Sequence, residues 1–381
     1  MREFIPSDKY DEVNYMEKVM QPNVLCGTSH NYFVRLAPGE SRTFRVRMRV
    51  QRPGYKWRIG YSNTVDTTWD NGLVSYANMP GSLFEIVSAA FANEDGFSPV
   101  AFNGEKSRSV ASQEVILSDT CDANVVDGYI EFRWCLRAGA QGAIIPATPD
   151  SQALCYYADG EHTMDSAYFF TDALTLEPQN LCVLPDLFEA EGTPLPRMVF
   201  IGDSITQGCG TRVDMYESWA ARIAKALADR YASLNIGLGY AQIKDAASDG
   251  AWLARTKNAD VVNVCLGVND ILHGEGDADI CIERLRSIIA AIKAAPKAPR
   301  VVIFTVPPFD YEGDYITNWR MINAAIKAPG HLGADAMFDM ASVLSIGGER
   351  EYMSKYGPHP DGVGGAAVAH EYVENFIDTL R

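Results

Sequence analysis

Phe200-Ile201-Gly202-Asp203-Ser204-Ile205-Thr206-Gln207-Gly208 is the stretch on which the fold turns. It closes the short apolar strand expected over Met198–Gly202. A loop follows, and then Glu217–Tyr231, where Trp219, Ile223 and Leu227 recur at helical spacing. The alternation continues to the end of the chain. Strands are expected at Leu234–Ile236, Asp260–Leu266, Arg300–Val306 and Met337–Asp339, and helices at Ala278–Ala294, Tyr315–Ile326 and Val363–Leu380. Strands alternating with helices predict a parallel sheet covered on both faces. In such folds ligands bind at the carboxyl ends of the strands, where Ser204 falls.

Upstream the pattern is different. Over Ser41–Val50, Phe44, Val46, Met48 and Val50 alternate with Arg45, Arg47 and Arg49, and Gly128–Arg137 repeats the period of two with Ile130, Phe132, Trp134 and Leu136. Further strands are expected at Lys56–Tyr61, Gly81–Ala90, Ser112–Leu117 and Ala167–Leu176. Turn-prone pieces such as Arg52-Pro53-Gly54, Asp70-Asn71-Gly72 and Met79-Pro80-Gly81 separate strands. This half therefore reads as an all-β sandwich of jelly-roll type. The arginine stripe reads as a solvated face, with anion binding as the alternative. Pro185, Gly192, Pro194 and Pro196 mark the change of pattern, so the expected domains are residues 1–190 and 191–381.

Three more pieces follow the Ser204 block in order. They are Asn235-Ile236-Gly237-Leu238-Gly239-Tyr240, Gly267-Val268-Asn269-Asp270 and Gly357-Pro358-His359-Pro360-Asp361-Gly362. Each falls at a strand end or before a helix, where side chains can converge. A serine hydroxyl becomes a competent nucleophile when a histidine near neutral pKa takes its proton, and the resulting oxyanion needs preorganised N–H donors. Asp203 reads as a hydrogen-bonding residue of the turn rather than a proton carrier.

The ordered set resembles the SGNH hydrolases, or GDSL esterase/lipase family, over about residues 197–381. The resemblance implies a flavodoxin-like three-layer domain with Ser204 as nucleophile and His359 as general base. It implies an oxyanion hole from Ser204, the Gly239 region and Asn269. The family's donor glycine aligns with Tyr240, whose N–H can serve if its φ is allowed. The family often has an aspartate three residues before the histidine. Here that position is Tyr356, so a Ser–His dyad with a backbone carbonyl orienting His359 is expected; Glu349, Glu351 or Asp361 are the carboxylates that could substitute. A β-sandwich ahead of such a domain resembles the family 2 carbohydrate esterases, which implies deacetylation of a sugar ester. The rivals are a lysophospholipase or acyl-thioesterase of the same fold, and a carbohydrate-binding protein without turnover.

Composition narrows the partners. The 381 residues carry a net charge of -16, and both halves are acidic, which disfavours nucleic acid and anionic membranes. The expected partner is a small-molecule or oligosaccharide ester. No apolar run is long enough to span a bilayer. The segment Met1–Asp8 is charged and has no apolar core, from which a cytoplasmic location is expected. The eight cysteines form no C-x-x-C pair and read as reduced thiols. Cys209 and Cys265 are expected in the core. No histidine pair has metal-ligand spacing, so no metal or cofactor is expected. Trp219, Trp252 and Trp319 are expected in the core, with stacking on a sugar as the alternative.

Overall fold

The computed structural model describes residues 17–67, 77–93, 96–149, 152–166, 172–173, 175–176, 179–246, 250–273, 277–347 and 352–380. The N-terminal half contains two large antiparallel sheets. One comprises Val19–Pro22, Leu187–Gly192, Lys56–Ser62 and Val115–Leu117, with Cys121–Asp122 also pairing Lys56–Ser62. The other is built on Ser41–Arg49, Tyr129–Ala138 and Phe84–Asn93. The inner faces meet through aromatic rings: Phe188 and Trp57 of the first sheet pack against Phe132 and Phe91 of the second. Phe44, Val46 and Met48 are buried as their alternation predicts. The Ala167–Leu176 strand is present as the two-residue pieces Asp172–Ala173 and Thr175–Leu176; the rest of that segment, Asp70-Asn71-Gly72 and Met1–Asp8 lie outside the described residues.

The arginine stripe is solvated in part, as expected, with Arg49 exposed and Arg45 and Arg47 half-buried. Arg45 Nη2 lies 2.6 Å from Glu131 Oε2, and Arg47 lies over the Tyr129 ring at 3.9 Å. The paired register explains this, because Glu131 stands opposite Arg47 and Tyr129 opposite Arg49. Cross-strand neighbours thus pair the charge of Arg45 and cover Arg47, while Arg49 stays in solvent.

The C-terminal half is a five-stranded parallel sheet in the order Ala232–Asn235, Arg197–Gly202, Val261–Cys265, Arg300–Phe304, Ala336–Phe338. Within this domain that is the order 2-1-3-4-5 of flavodoxin-like folds, with the switch point beside the first strand. Trp219–Ala226 packs on Gly362–Glu371, and Ala278–Lys293 packs on Asp314–Lys327. The helix expected over Glu217–Tyr231 is shorter at both ends. Ser218 is its N-cap, its hydroxyl accepting from Ala221 N, and a Cβ on Gly365 would stand 2.2 Å from the Glu217 carbonyl.

The two halves share an edge. Gly27 bridges Asn235 in parallel, and Thr28 N donates to Asn235 O at 3.3 Å, covering the outer strand Ala232–Asn235. Gln51 continues the cover. Its Nε2 donates to Ser233 O at 2.6 Å and its Oε1 accepts from Ser233 N at 3.0 Å, so one side-chain amide acts as a strand partner.

Candidate functional site

The turn carrying Ser204 is fixed by steric exclusion and capping. A Cβ on Gly202 would stand 2.0 Å from Thr206 Oγ1 and 2.4 Å from the Cys265 carbonyl, so only glycine ends this strand. Asp203 is the N-cap of the short helix Ser204–Gln207, and its Oδ1 accepts from Ile205 N at 3.0 Å. The helix stops at Gly208, whose φ of 116° is open to glycine alone among common residues. Ser204 emerges half-buried at the start of this turn.

The last loop brings the histidine to it. Ser204 Oγ and His359 Nε2 are 2.9 Å apart, across 155 residues of sequence. In the neutral tautomer protonated at Nδ1, the serine hydroxyl donates to Nε2. Burial pushes the His359 pKa below its ordinary value. Packing holds the ring: Phe309 meets it edge-on at a centroid distance of 5.2 Å, and Gly210, at φ 87°, lies so close that a Cβ would stand 2.6 Å from His359 Cβ. Among the described residues no carboxylate and no backbone carbonyl bonds His359 Nδ1. The expected orienting carbonyl is therefore not found among them. Asp361 is engaged elsewhere, as N-cap of Gly362–Glu371, with Oδ1 accepting from Val363 N and Gly364 N, both at 2.9 Å. Glu349 and Glu351 lie outside the described residues. Tyr356, at the usual aspartate position, packs against Gly364.

The second and third blocks converge on the same point. Ile236 N donates to Phe200 O and Leu238 N to Gly202 O, both at 2.9 Å, so the parallel ladder runs past the strand and delivers Gly239 beside Ser204. Gly237 is required, since a Cβ would stand 2.4 Å from Gln207 N. Asn235 Nδ2 donates to Thr206 O and its Oδ1 accepts from Gly237 N, tying the second block to the serine turn. Tyr240 has φ 60°, a left-handed conformation that bulky residues adopt only when held, at a strain of about 1–3 kcal/mol. Asn269 is buried and donates one amide hydrogen to Ala241 O at 3.0 Å; the amide has a second. Asp270, beside it, accepts from Ile243 N with both oxygens, and burial raises its pKa to about 7.

Ser204, Gly239, Tyr240, Asn269 and His359 all line one cavity of about 490 Å³, a size that holds a small organic ligand. The α/β half supplies apolar wall through Val268, Leu272 and Phe309. The sandwich supplies Asn31 and Pro149. Sequence reasoning missed both, because they belong to no motif. Gln207 joins the halves, its Nε2 donating to Thr148 Oγ1 at 3.1 Å and to Pro149 O at 2.5 Å.

The remaining candidates divide clearly. Trp219, Trp252 and Trp319 are buried and do not face the cavity. Each indole N–H donates to a carbonyl just beyond a strand, respectively Ile205 O, Ile236 O and Val306 O. Cys265 is buried, as expected, and burial drives its thiol pKa far up. Cys209 departs from expectation: it is half-buried and lines the cavity. His30 is fully buried, its Nε2 2.9 Å from Leu184 O, and burial lowers its pKa to about 4. None of the eight cysteines is in a disulfide. Among the described residues no cluster of three His, Cys, Asp or Glu could hold a metal, and no helix is long and apolar enough to cross a membrane.

Residues 200–367 match the model of the GDSL-like Lipase/Acylhydrolase family. Solved structures with similar folds include a family two carbohydrate esterase from Clostridium thermocellum in complex with cellohexaose. It is 14% identical, has a TM-score of 0.41, and covers 95% of this chain and 99% of its own. A family two carbohydrate esterase from Cellvibrio japonicus is 13% identical, with a TM-score of 0.37, covering 96% and 99%. A lipolytic G-D-S-L protein from Veillonella parvula is 18% identical, with a TM-score of 0.37, covering 47% of this chain and 97% of its own. No curated protein matches the chain by sequence.

Proposed function

We propose that the protein is a serine esterase acting through an acyl-enzyme. The observation that carries this reading is the 2.9 Å approach of Ser204 Oγ to His359 Nε2 at a cavity also lined by Gly239 and Asn269. Ser204 Oγ attacks the ester carbonyl while His359 Nε2 takes its proton. The oxyanion is received by the Ser204 N–H, the Gly239–Tyr240 segment and the second amide hydrogen of Asn269. Collapse of the intermediate breaks the bond to the alcohol oxygen, and His359 returns the proton to that leaving group. Water then attacks the acyl-serine, with His359 again as base, releasing the acid and free Ser204.

The substrate we favour is a short-chain, chiefly acetyl, ester of a carbohydrate. The cavity is mixed in character. Val268, Leu272 and Phe309 provide apolar surface for an acyl methyl, while Asn31, Thr211 and the Tyr240–His273 ring pair offer polar and aromatic contacts for a hydroxylated alcohol. Each methylene buried in an apolar pocket is worth about 0.8 kcal/mol, so a long-chain lipase or thioesterase gains steeply from acetyl to octanoyl esters. The test is a p-nitrophenyl ester series on wild type and Ser204→Ala, followed by acetylated xylo- and manno-oligosaccharides. Acetyl preference, acetate release from a glycan and loss of activity in Ser204→Ala are expected. Octanoyl preference with no acetate released overturns the substrate and leaves the esterase. Full activity in Ser204→Ala overturns Ser204 as the nucleophile, and no ester hydrolysis by wild type overturns the esterase.

A further inference from the structure

We propose that Asn31, a residue of the β-sandwich, is a positioning residue for the oxyanion hole of the α/β domain, acting through the Gly239 carbonyl. The proposal rests on the serine-esterase reading and extends its machinery into the other half of the chain. Asn31 is fully buried and lines the cavity. Its Nδ2 donates to Gly239 O at 3.1 Å, across 208 residues of sequence. That carbonyl and the Tyr240 N–H belong to one planar trans peptide and point in opposite directions. Holding the oxygen therefore fixes the direction of the N–H.

A second observation shows that this peptide is under constraint. Tyr240 occupies the left-handed region at φ 60°, which a residue with a bulky side chain leaves unless its neighbours hold it there. The neighbours are now identifiable. Leu238 N is tied to Gly202 O before the peptide, and Asn269 Nδ2 to Ala241 O after it. A side-chain bond to the peptide itself comes from Asn31. The space is matched as well, because a Cβ on Gly239 would stand 3.4 Å from Asn31 Nδ2 and 3.1 Å from Gln207 Oε1.

Asn31 is itself held rigidly enough to do this. Its own N–H donates to Ala147 O at 3.1 Å, and the preceding Thr28 N donates to Asn235 O at 3.3 Å. The segment 20–31 is buried between the two halves almost throughout. The anchor thus comes from a stiff strap, as geometric control of a reacting centre requires.

An oxyanion contact forms fully only in the transition state, so its misalignment lowers kcat and leaves KM nearly unchanged. The test compares wild type with Asn31→Ala and with Asn31→Leu, which keeps most of the volume but has no hydrogen to donate. With p-nitrophenyl acetate both variants are expected to lose about tenfold to hundredfold in kcat, the scale of a misplaced reacting group, with KM within about twofold. The acid limb of the pH profile, set by His359, stays where it is. Wild-type kcat in either folded variant overturns the proposal, as does a loss carried by KM alone. Should both variants fail to fold, a crystal structure of wild type phosphonylated on Ser204 decides. The phosphonyl oxygen must lie within about 3 Å of the backbone N of Tyr240, with the Asn31–Gly239 bond intact. An oxygen bound away from that peptide overturns the proposal. A wild type that hydrolyses no ester overturns the esterase reading, and is thereby told apart from failure of the Asn31 proposal alone.

Discussion

Ser204 and His359 make one unit at the residue scale, and Asp203 is set beside it for a different task. Removing either member of such a pair typically lowers kcat by about 10⁴–10⁶, and this is the expectation for Ser204→Ala and His359→Ala in single-turnover assays. Asp203 caps the turn through Oδ1, while its buried Oδ2 has no hydrogen-bond partner among the described residues. Burial first, and the charge of Asp270 next, raise the Asp203 pKa to about 7. A turn cap needs an acceptor but no charge, so Asp203→Asn retains activity within about tenfold. Asp203→Ala loses the cap, worth about 0.5–2 kcal/mol by chemical denaturation. A loss in Asp203→Asn as large as that in His359→Ala would make it a proton carrier instead. On the proposed mechanism His359 sets the acid limb of the pH profile. His359 must be neutral to accept the serine proton, and burial lowers its pKa. The fall in kcat/KM on acidification is therefore expected below pH 6.5, the ordinary histidine value. A limb above 6.5 contradicts it.

At the scale of elements, three tryptophans perform one operation. Each carries its indole N–H from a helix to a carbonyl within three residues of a strand end, Ile205 O in the serine turn and Ile236 O and Val306 O in the loops, and so pins the segment that leaves the strand. Trp252→Phe keeps most of the ring and leaves the Ile236 carbonyl without its donor. The loss expected is about 1–3 kcal/mol in urea unfolding, the penalty of an unsatisfied buried acceptor. Because Ile236 opens the Gly237–Tyr240 segment, kcat should fall with it. The sequence shows Trp219 in helical phase and Trp319 within an expected helix, but no element around Trp252 and nothing of what the three N–H groups do. The strands Arg197–Gly202, Val261–Cys265 and Arg300–Phe304 are readable because continuous apolar runs announce burial on both faces. The helix Val268–His273 is not, since six residues carry too little period, and tertiary packing rather than propensity decides such a turn. The strands Val19–Pro22 and Leu187–Gly192 are equally hidden. Their pairing joins the two ends of the sandwich across some 170 residues, and no local pattern reports it.

At the scale of the whole molecule, motif spacing places Ser204, His359 and Asn269, because loops at strand ends repeat their chemistry locally. Asn31 and Pro149 reach the same cavity only through domain packing, which leaves no trace in residue order. That packing has an ionic centre. Arg255, at the end of the helix Ala251–Ala254, sends Nη1 to Ser29 Oγ at 2.5 Å and to Asp66 Oδ2 at 3.3 Å, and Nη2 to Thr28 Oγ1 at 3.2 Å and to Asp186 O at 2.6 Å. Burial holds the carboxyls of Asp66 and Asp186 above the usual range, and Arg255 is the main influence pulling both down. Arg255→Met keeps the apolar bulk and strands these groups, and breaking one side of a buried pair costs about 3–5 kcal/mol. The sign with pH follows from linkage. Without Arg255 the folded-state pKa of Asp66 rises further above its unfolded value, so the folded variant retains a proton that the unfolded chain has lost. Its stability then declines as pH rises from about 4 through the raised pKa. Urea unfolding at pH 5 and pH 8 should show the deficit against wild type larger at pH 8; an equal deficit at both would mean that Asp66 does not sense the arginine. Ser29 lies two residues from Asn31, so the same substitution loosens the strap that holds the Gly239 carbonyl. The variant should lose kcat toward p-nitrophenyl acetate even at pH 5, where its fold is nearest to wild type.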